Sequence, residues 1–205
     1  MKYKAIFFDA DGVLVKNKHL FSEQLQKDFG IKKEVMTPFF TVVFGQCSLG
    51  KADLKEELAK IIDDWGWKGA VEELLDYWFS VGTEIEHDIV EYIKTLRDQE
   101  IRCFMTTDQE KYRGEHLRDT LGGGKVFEDV FFSAEIGNPK KTESFWEEVF
   151  VRINTASHDP SSEIISRDQT LFVDDDEVNT KAVSDLGINV LLYRKLDDLR
   201  QELSE

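Results

Sequence analysis

Residues 3–8, Tyr-Lys-Ala-Ile-Phe-Phe, form a short apolar run that stops at Asp9-Ala10-Asp11-Gly12. Its length and aromatic content predict a buried strand, with Gly12 marking the turn that ends it. From about residue 17 to 83 the period changes. Leu20, Phe21 and Leu25, then Leu54, Leu58, Ile61 and Ile62, then Val71, Leu74, Leu75 and Trp78 recur at helical spacing, punctuated by Gly45, Gly50, Gly66, Gly69 and Gly82. This stretch predicts a small helical bundle.

Strand and helix alternate from there on. Ile85, Ile89, Ile93 and Leu96 give a helical face; Ile101 to Met105 reads as a strand ending in Thr106-Thr107-Asp108. Residues 110–121 read as a helix, Val130 to Ser133 as a strand, and Phe145, Trp146, Val149 and Phe150 as another helical face. Residues 154–168 read as a loop. Thr170 to Val173 is a strand ending in Asp174-Asp175-Asp176, followed by a helix over 178–186 and a last strand from Ile188 to Tyr193. The pattern predicts an α/β fold: a mostly parallel sheet with helices on both faces, built from residues 1–16 and 84–205, with the helical bundle of 17–83 inserted after the first strand. Ligands of such sheets bind at the carboxyl ends of the strands, where the polar clusters of this chain lie.

Composition narrows the function. The chain has 205 residues, 41% hydrophobic and 12% aromatic, and 26 Lys+Arg against 41 Asp+Glu leave a net charge of −15. That balance repels phosphate polymers and anionic lipid, so neither a nucleic acid nor a membrane is the expected partner. No apolar stretch approaches the roughly 18–20 residues that span a bilayer. Two cysteines, Cys47 and Cys103, make no disulfide framework, and a cytoplasmic location is expected.

The strand ends carry the chemistry. Asp9 and Asp11 stand two apart, and in extended backbone such side chains point the same way. Paired carboxylates repel each other unless a hard divalent cation such as Mg²⁺ sits between them; the competing reading is a pair of turn-forming acids. Asp174 and Asp175 follow a second buried strand, so one sheet would gather at least three carboxylates. Neither cluster has the glycine placement of an EF-hand loop. Thr107 offers a hydroxyl at a third strand end, followed by the N–H groups of a helix, although Thr106, Thr107 or Asp108 would serve equally as an ordinary N-cap. Lys140, in Gly137-Asn138-Pro139-Lys140-Lys141, lies in a turn before a helix, where a lysine is otherwise a surface charge.

Together these segments resemble the haloacid dehalogenase-like (HAD) hydrolase superfamily. Asp9-Ala10-Asp11-Gly12-Val13-Leu14 resembles its first motif, Thr107 within Met105 to Arg113 its second, Lys140 after Glu135-Ile136-Gly137 its third, and Phe172-Val173-Asp174-Asp175 its fourth. The resemblance implies a Rossmann-like core with the helical insert as a C1 cap, and Mg²⁺-dependent hydrolysis of a small phosphorylated metabolite. It assigns Asp9 as nucleophile and Asp11 as general acid and base. Asp9, the backbone carbonyl of Asp11, and Asp175 become the metal ligands. Thr107 and Lys140 take the phosphoryl oxygens, with Asp108 beside them. Relatives often carry Asn where this chain has Asp108 and Pro where it has Lys141, and Thr106 competes with Thr107 for the second-motif role. Asp11 favours phosphatases over dehalogenases, which attack carbon and need no acid at that position. The alternative is a non-catalytic phosphate-binding or signalling module on the same scaffold. His19, near the start of the insert, and Gln46, Cys47 and Lys51, in its turns, are candidates to face substrate.

Overall fold

A computed structural model describes residues 2–16, 20–122, 124, 126–155 and 164–204. His19, His158 and residues 156–163 of the expected loop lie outside the described residues.

Buried aliphatic and aromatic runs make the strands: β1 (Ala5–Phe8), β2 (Arg102–Thr107), β3 (Val130–Phe132), β4 (Thr170–Asp174) and β5 (Asn189–Leu192). They pair in parallel in the order β3-β2-β1-β4-β5. The register sets Phe8 against Met105 on one side and Val173 on the other. Alternation along each strand then feeds two cores. Ile6, Phe8, Cys103, Met105, Leu171 and Val173 face one layer; Phe7, Phe104, Phe131 and Phe172 face the other.

Between β1 and β2 the chain is helical. α1 (Phe21–Phe29) is followed by α2 (Lys33–Pro38), which passes through a π-helical turn at Phe39–Val43 into α3 (Phe44–Cys47). Then come α4 (Leu54–Ala59), α5 (Ile62–Trp65), α6 (Val71–Val81) and α7 (His87–Asp98). Gly45, expected as punctuation, sits inside α3. The helices from α1 to α6 close on a core of their own, in which Leu25, Met36, Leu58 and Leu74 are fully buried. α7 instead packs Ile89, Ile93 and Leu96 under the sheet.

The remaining helices complete both layers: α8 (Lys111–Leu117), the single turn α9 (Ser133–Ile136), α10 (Glu143–Thr155), α11 (Glu177–Ser184) and α12 (Leu196–Ser204). α10 buries Phe145 and Trp146, and Trp146 meets Phe7 and Phe172 edge-on at 5.1 and 5.3 Å. α12, for which the sequence reading predicts no element, packs Leu199 on the α7 side. No helix among the described residues is long and apolar enough to cross a membrane.

The helical segment rests on the carboxyl end of the sheet. Ser133 Oγ donates to the Ser48 carbonyl at 2.6 Å, and Tyr112 OH donates to Asp53 at 2.7 Å. Gly50 adopts φ +65°, and a Cβ there would stand 2.3 Å from the Ala134 carbonyl oxygen. Only glycine admits so close a backbone approach.

Candidate active site

Asp9 follows β1 directly, and its N–H donates to the Val173 carbonyl at 2.9 Å, which extends the β1–β4 ladder to the acid. One carboxylate oxygen from each of Asp9, Asp174 and Asp175 lies within 4.8 Å of the others. Asp9 and Asp174 are buried, Asp175 half-buried. Three convergent hard oxygen donors match what Mg²⁺ prefers. Gly12, at φ +85°, is what admits Asp175 to this cluster, because a Cβ there would fall 2.0 Å from its Oδ2.

Lys140 supplies the counter-charge. Its Nζ lies 2.6 Å from Asp9 and 2.7 Å from Asp174, and its side chain is 4% exposed. Burial alone would pull this ammonium down, but the two carboxylates outweigh it and hold Lys140 above its ordinary range. Burial likewise pushes Asp9 up, a push that Lys140 opposes and Asp174 and Asp11 reinforce. A cation entering the cluster therefore competes with a proton on Asp9.

The lysine is clamped at both ends of its backbone. Trp146 Nε1 donates to its carbonyl at 2.6 Å, and its N–H donates to Asp108 Oδ1 at 2.8 Å. Asp108 is thus a brace for the Lys140 turn, and burial raises its carboxyl pKa against that hydrogen bond. Asp108→Asn keeps an acceptor of the same shape and is expected to hold stability within about 0.5 kcal/mol, whereas Asp108→Ala orphans a buried N–H and costs about 1–3 kcal/mol. Thermal unfolding of both variants checks this; equal losses would show that the charge of Asp108, not its acceptor, is what counts.

The two threonines separate by strand parity. Extending the β1–β2 register by one residue sets Thr106 beside Asp9, on the face of Phe7 and Phe104. Its Oγ is buried without a hydrogen-bond partner among the described residues, an orphan that a ligand oxygen would satisfy. Thr107, the preferred candidate from sequence, follows the parity of Cys103 and Met105 toward the other layer. Nor is the helix after it a free anion site: α8 starts at Lys111, and the Glu110 carboxylate already accepts from the N–H groups of Tyr112 and Arg113. The same cap removes Thr106, Thr107 and Asp108 as N-cap residues.

Asp11 departs from the simple pairing of carboxylates two apart, while the resemblance asks only for its backbone carbonyl at the metal. The chain turns at Ala10–Gly12, and its carboxylate is not one of the three clustered acids. Arg113 grips it with two nitrogens, at 2.6 and 3.0 Å, and Gln109 Nε2 donates to it at 2.6 Å. Arg113 also donates to the Gly82 carbonyl at 3.0 Å, joining the acid to the foot of α6. Neither Arg113 nor Gln109 stands out in the sequence, since each is one polar residue in a polar turn of Asp108 to Arg113. Their four-residue offset, from the loop after β2 to the first turn of α8, acquires meaning only once β2 lies next to β1. Cys47 and Lys51 line a cleft of about 450 Å³ that also touches Glu110, Arg118 and Glu135, away from the carboxylate cluster, while Gln46 is not among its walls.

A family model for haloacid dehalogenase-like hydrolases matches residues 3–187. No curated protein matches the sequence. Among solved structures, a predicted HAD-like family hydrolase from Porphyromonas gingivalis superposes with TM-score 0.78 at 19% identity, covering 100% of both chains. The magnesium complex of a HAD family enzyme from Bacteroides thetaiotaomicron gives 0.76 at 19%, again over 100% of both. L-2-haloacid dehalogenase from Xanthobacter autotrophicus gives 0.62 at 15%, over 98% of this chain and 82% of that one. At these identities the superpositions establish the fold alone, while the family match extends over most of the sequence: the chain belongs to the haloacid dehalogenase-like hydrolase family.

Proposed function

We propose that this protein is a Mg²⁺-dependent phosphomonoesterase acting on a small phosphorylated metabolite in the cytoplasm, with residues 17–83 as a C1 cap over a core of 1–16 and 84–205. The observation that carries the reading is the cluster of Asp9, Asp174 and Asp175 neutralised by Lys140, with a further carboxylate, Asp11, two residues after Asp9.

Asp9 is the nucleophile. Its oxygen attacks phosphorus, the ester bond breaks, and an aspartyl-phosphate forms. Asp11 gives a proton to the departing alcohol oxygen and later takes one from the water that hydrolyses the acyl phosphate. Thr106 and Lys140 hold the phosphoryl oxygens; Thr106 takes the role first given to Thr107 because its free hydroxyl is on the Asp9 face. Asp9, Asp175 and the carbonyl of Asp11 would hold the magnesium ion, with Asp174 alongside, and the ion supplies positive charge against the phosphoryl oxygens. The Bacteroides enzyme has also been crystallised with magnesium and inorganic phosphate, in keeping with this chemistry. The Xanthobacter neighbour is a dehalogenase, but a carboxylate at Asp11 suits a reaction whose leaving oxygen needs a proton.

The test is hydrolysis of p-nitrophenyl phosphate with millimolar Mg²⁺ and with excess chelator. Turnover is expected with the metal and is expected to vanish on chelation, returning when Mg²⁺ is restored. Undiminished turnover in chelator would overturn the metal's role.

A further inference from the structure

A cleft of about 490 Å³ opens between the helical segment and the sheet, with Asp11, Arg113 and Gly82 at its base. That volume suits a small molecule. Resting on the phosphatase reading above, we propose that this cleft receives the leaving group, and that the substrates are phosphate esters of an alcohol whose body is apolar and ring-sized, not of a polyol or sugar.

The walls carry the inference. Leu20, Phe21, Phe40 and Trp78 line the cleft. Phe21 stacks on Trp78 at 4.4 Å, and Phe40 meets the same indole edge-on at 5.5 Å, so the aromatic wall is a fixed surface. Leu20, at its lip, is 60% exposed. Apolar surface left open beside a reacting carboxylate gains by covering, and a ring would cover it. Thr37, Phe40 and Thr41, at i, i+3 and i+4 along α2 and the turn that follows it, share the face that meets the cleft.

The polar lining argues in the same direction. A polyol site needs convergent donors and acceptors left free for hydroxyls. Here Thr37 Oγ donates to the Lys33 carbonyl at 3.1 Å and Thr41 Oγ to the Thr37 carbonyl at 2.9 Å, so both hydroxyl protons are spent inside their own helix. Lys16 is paired with Glu84 and Glu86, and Lys33 with Glu23. Arg113 and Asp11 hold each other. Among the described residues that line the cleft there is no Asn or Gln, and Ser22 is the one hydroxyl besides those of Thr37 and Thr41. Asp11 and Arg113 sit at the base, against the phosphate end, and Lys16 and Lys33 line the cleft already paired with carboxylates, so the body of the ligand meets chiefly carbon.

Benzyl phosphate and glycerol 3-phosphate are both esters of a primary alcohol, so their difference reports the cleft and not leaving-group chemistry. The expected kcat/KM for benzyl phosphate is at least about tenfold higher, the order that burying a ring's apolar area supplies. Leu20→Gln and Phe40→Ala are expected to bring that ratio down toward one; Leu20 is exposed, so its variant reads the wall without disturbing the core. Calorimetric titration of both esters into the Asp9→Asn protein gives the same comparison as binding, without turnover. A ratio near one or inverted, or one unmoved by both variants, would overturn the proposal. If neither ester nor p-nitrophenyl phosphate is hydrolysed but benzyl phosphate still binds preferentially, the phosphatase reading fails and the cleft assignment stands.

Discussion

Asp9→Asn is expected to reduce Mg²⁺-dependent hydrolysis of p-nitrophenyl phosphate by at least about 10³-fold while leaving the protein folded. The two halves of that expectation have separate causes. Turnover falls because an amide oxygen cannot form the acyl phosphate. Folding survives because Lys140 keeps Asp174 at 2.7 Å, and an asparagine of the same shape still accepts from Lys140 and still donates its N–H to the Val173 carbonyl. Loss of one carboxylate also weakens the cation site, so the comparison belongs at saturating Mg²⁺. Assay of both proteins across Mg²⁺ concentration, beside their thermal unfolding curves, checks it. If the variant kept more than about a tenth of wild-type turnover at saturating metal, Asp9 would not be the nucleophile.

The sheet was legible because buried parallel strands are written as continuous apolar runs, and each of the five stops at a polar or glycine-rich break. The helical insert was legible by its change of period. α12 was not, since Leu196, Leu199 and Leu203 are spread through an acidic tail whose composition reads as solvated until a core lies beneath it. At the site, Asp9, Asp174, Asp175 and Lys140 could be chosen from strand ends and motif order. The choice between Thr106 and Thr107 could not, because side-chain parity depends on where β2 ends, and β2 runs through both residues. The grip of Arg113 on Asp11 spans 102 residues of chain, and no local pattern announces a contact at that separation. The −15 charge also changes meaning. It disfavours phosphate polymers, yet at the site Lys140 stands among the three buried or half-buried acids, and a divalent cation would neutralise the remainder.

Lys140→Met is expected to destabilise the fold strongly in the absence of metal. The variant keeps the volume of the side chain but strands Asp9 and Asp174, whose side chains are 8% and 0% exposed, without their cation. Breaking a buried pair by removing one partner costs about 3–5 kcal/mol, here shared by two acids. At roughly 2–4 °C per kcal/mol for a chain of this size, Tm is expected to fall by about 6–20 °C. The sign with pH follows from Asp9. Burial raises its folded pKa above the unfolded value near ~4, so the native state binds the extra proton in between. Stability is therefore regained as pH falls through the raised value toward ~4, and is lost again as pH rises. With the ammonium gone nothing opposes that shift, so the pH dependence of the variant is expected to be steeper than that of the wild type. Mg²⁺ binds the native cluster and not the unfolded chain, so it is expected to recover part of the lost Tm. Phosphatase activity is not expected to return with it, because the charged one of the two groups that would hold the phosphoryl oxygens is missing. Unfolding curves of both proteins between pH 5 and 8, with and without Mg²⁺, read all of these effects. A variant as stable as the wild type at pH 8 without metal would show that the acids relax apart when Lys140 leaves, and that the cluster is not held as tightly as its geometry says.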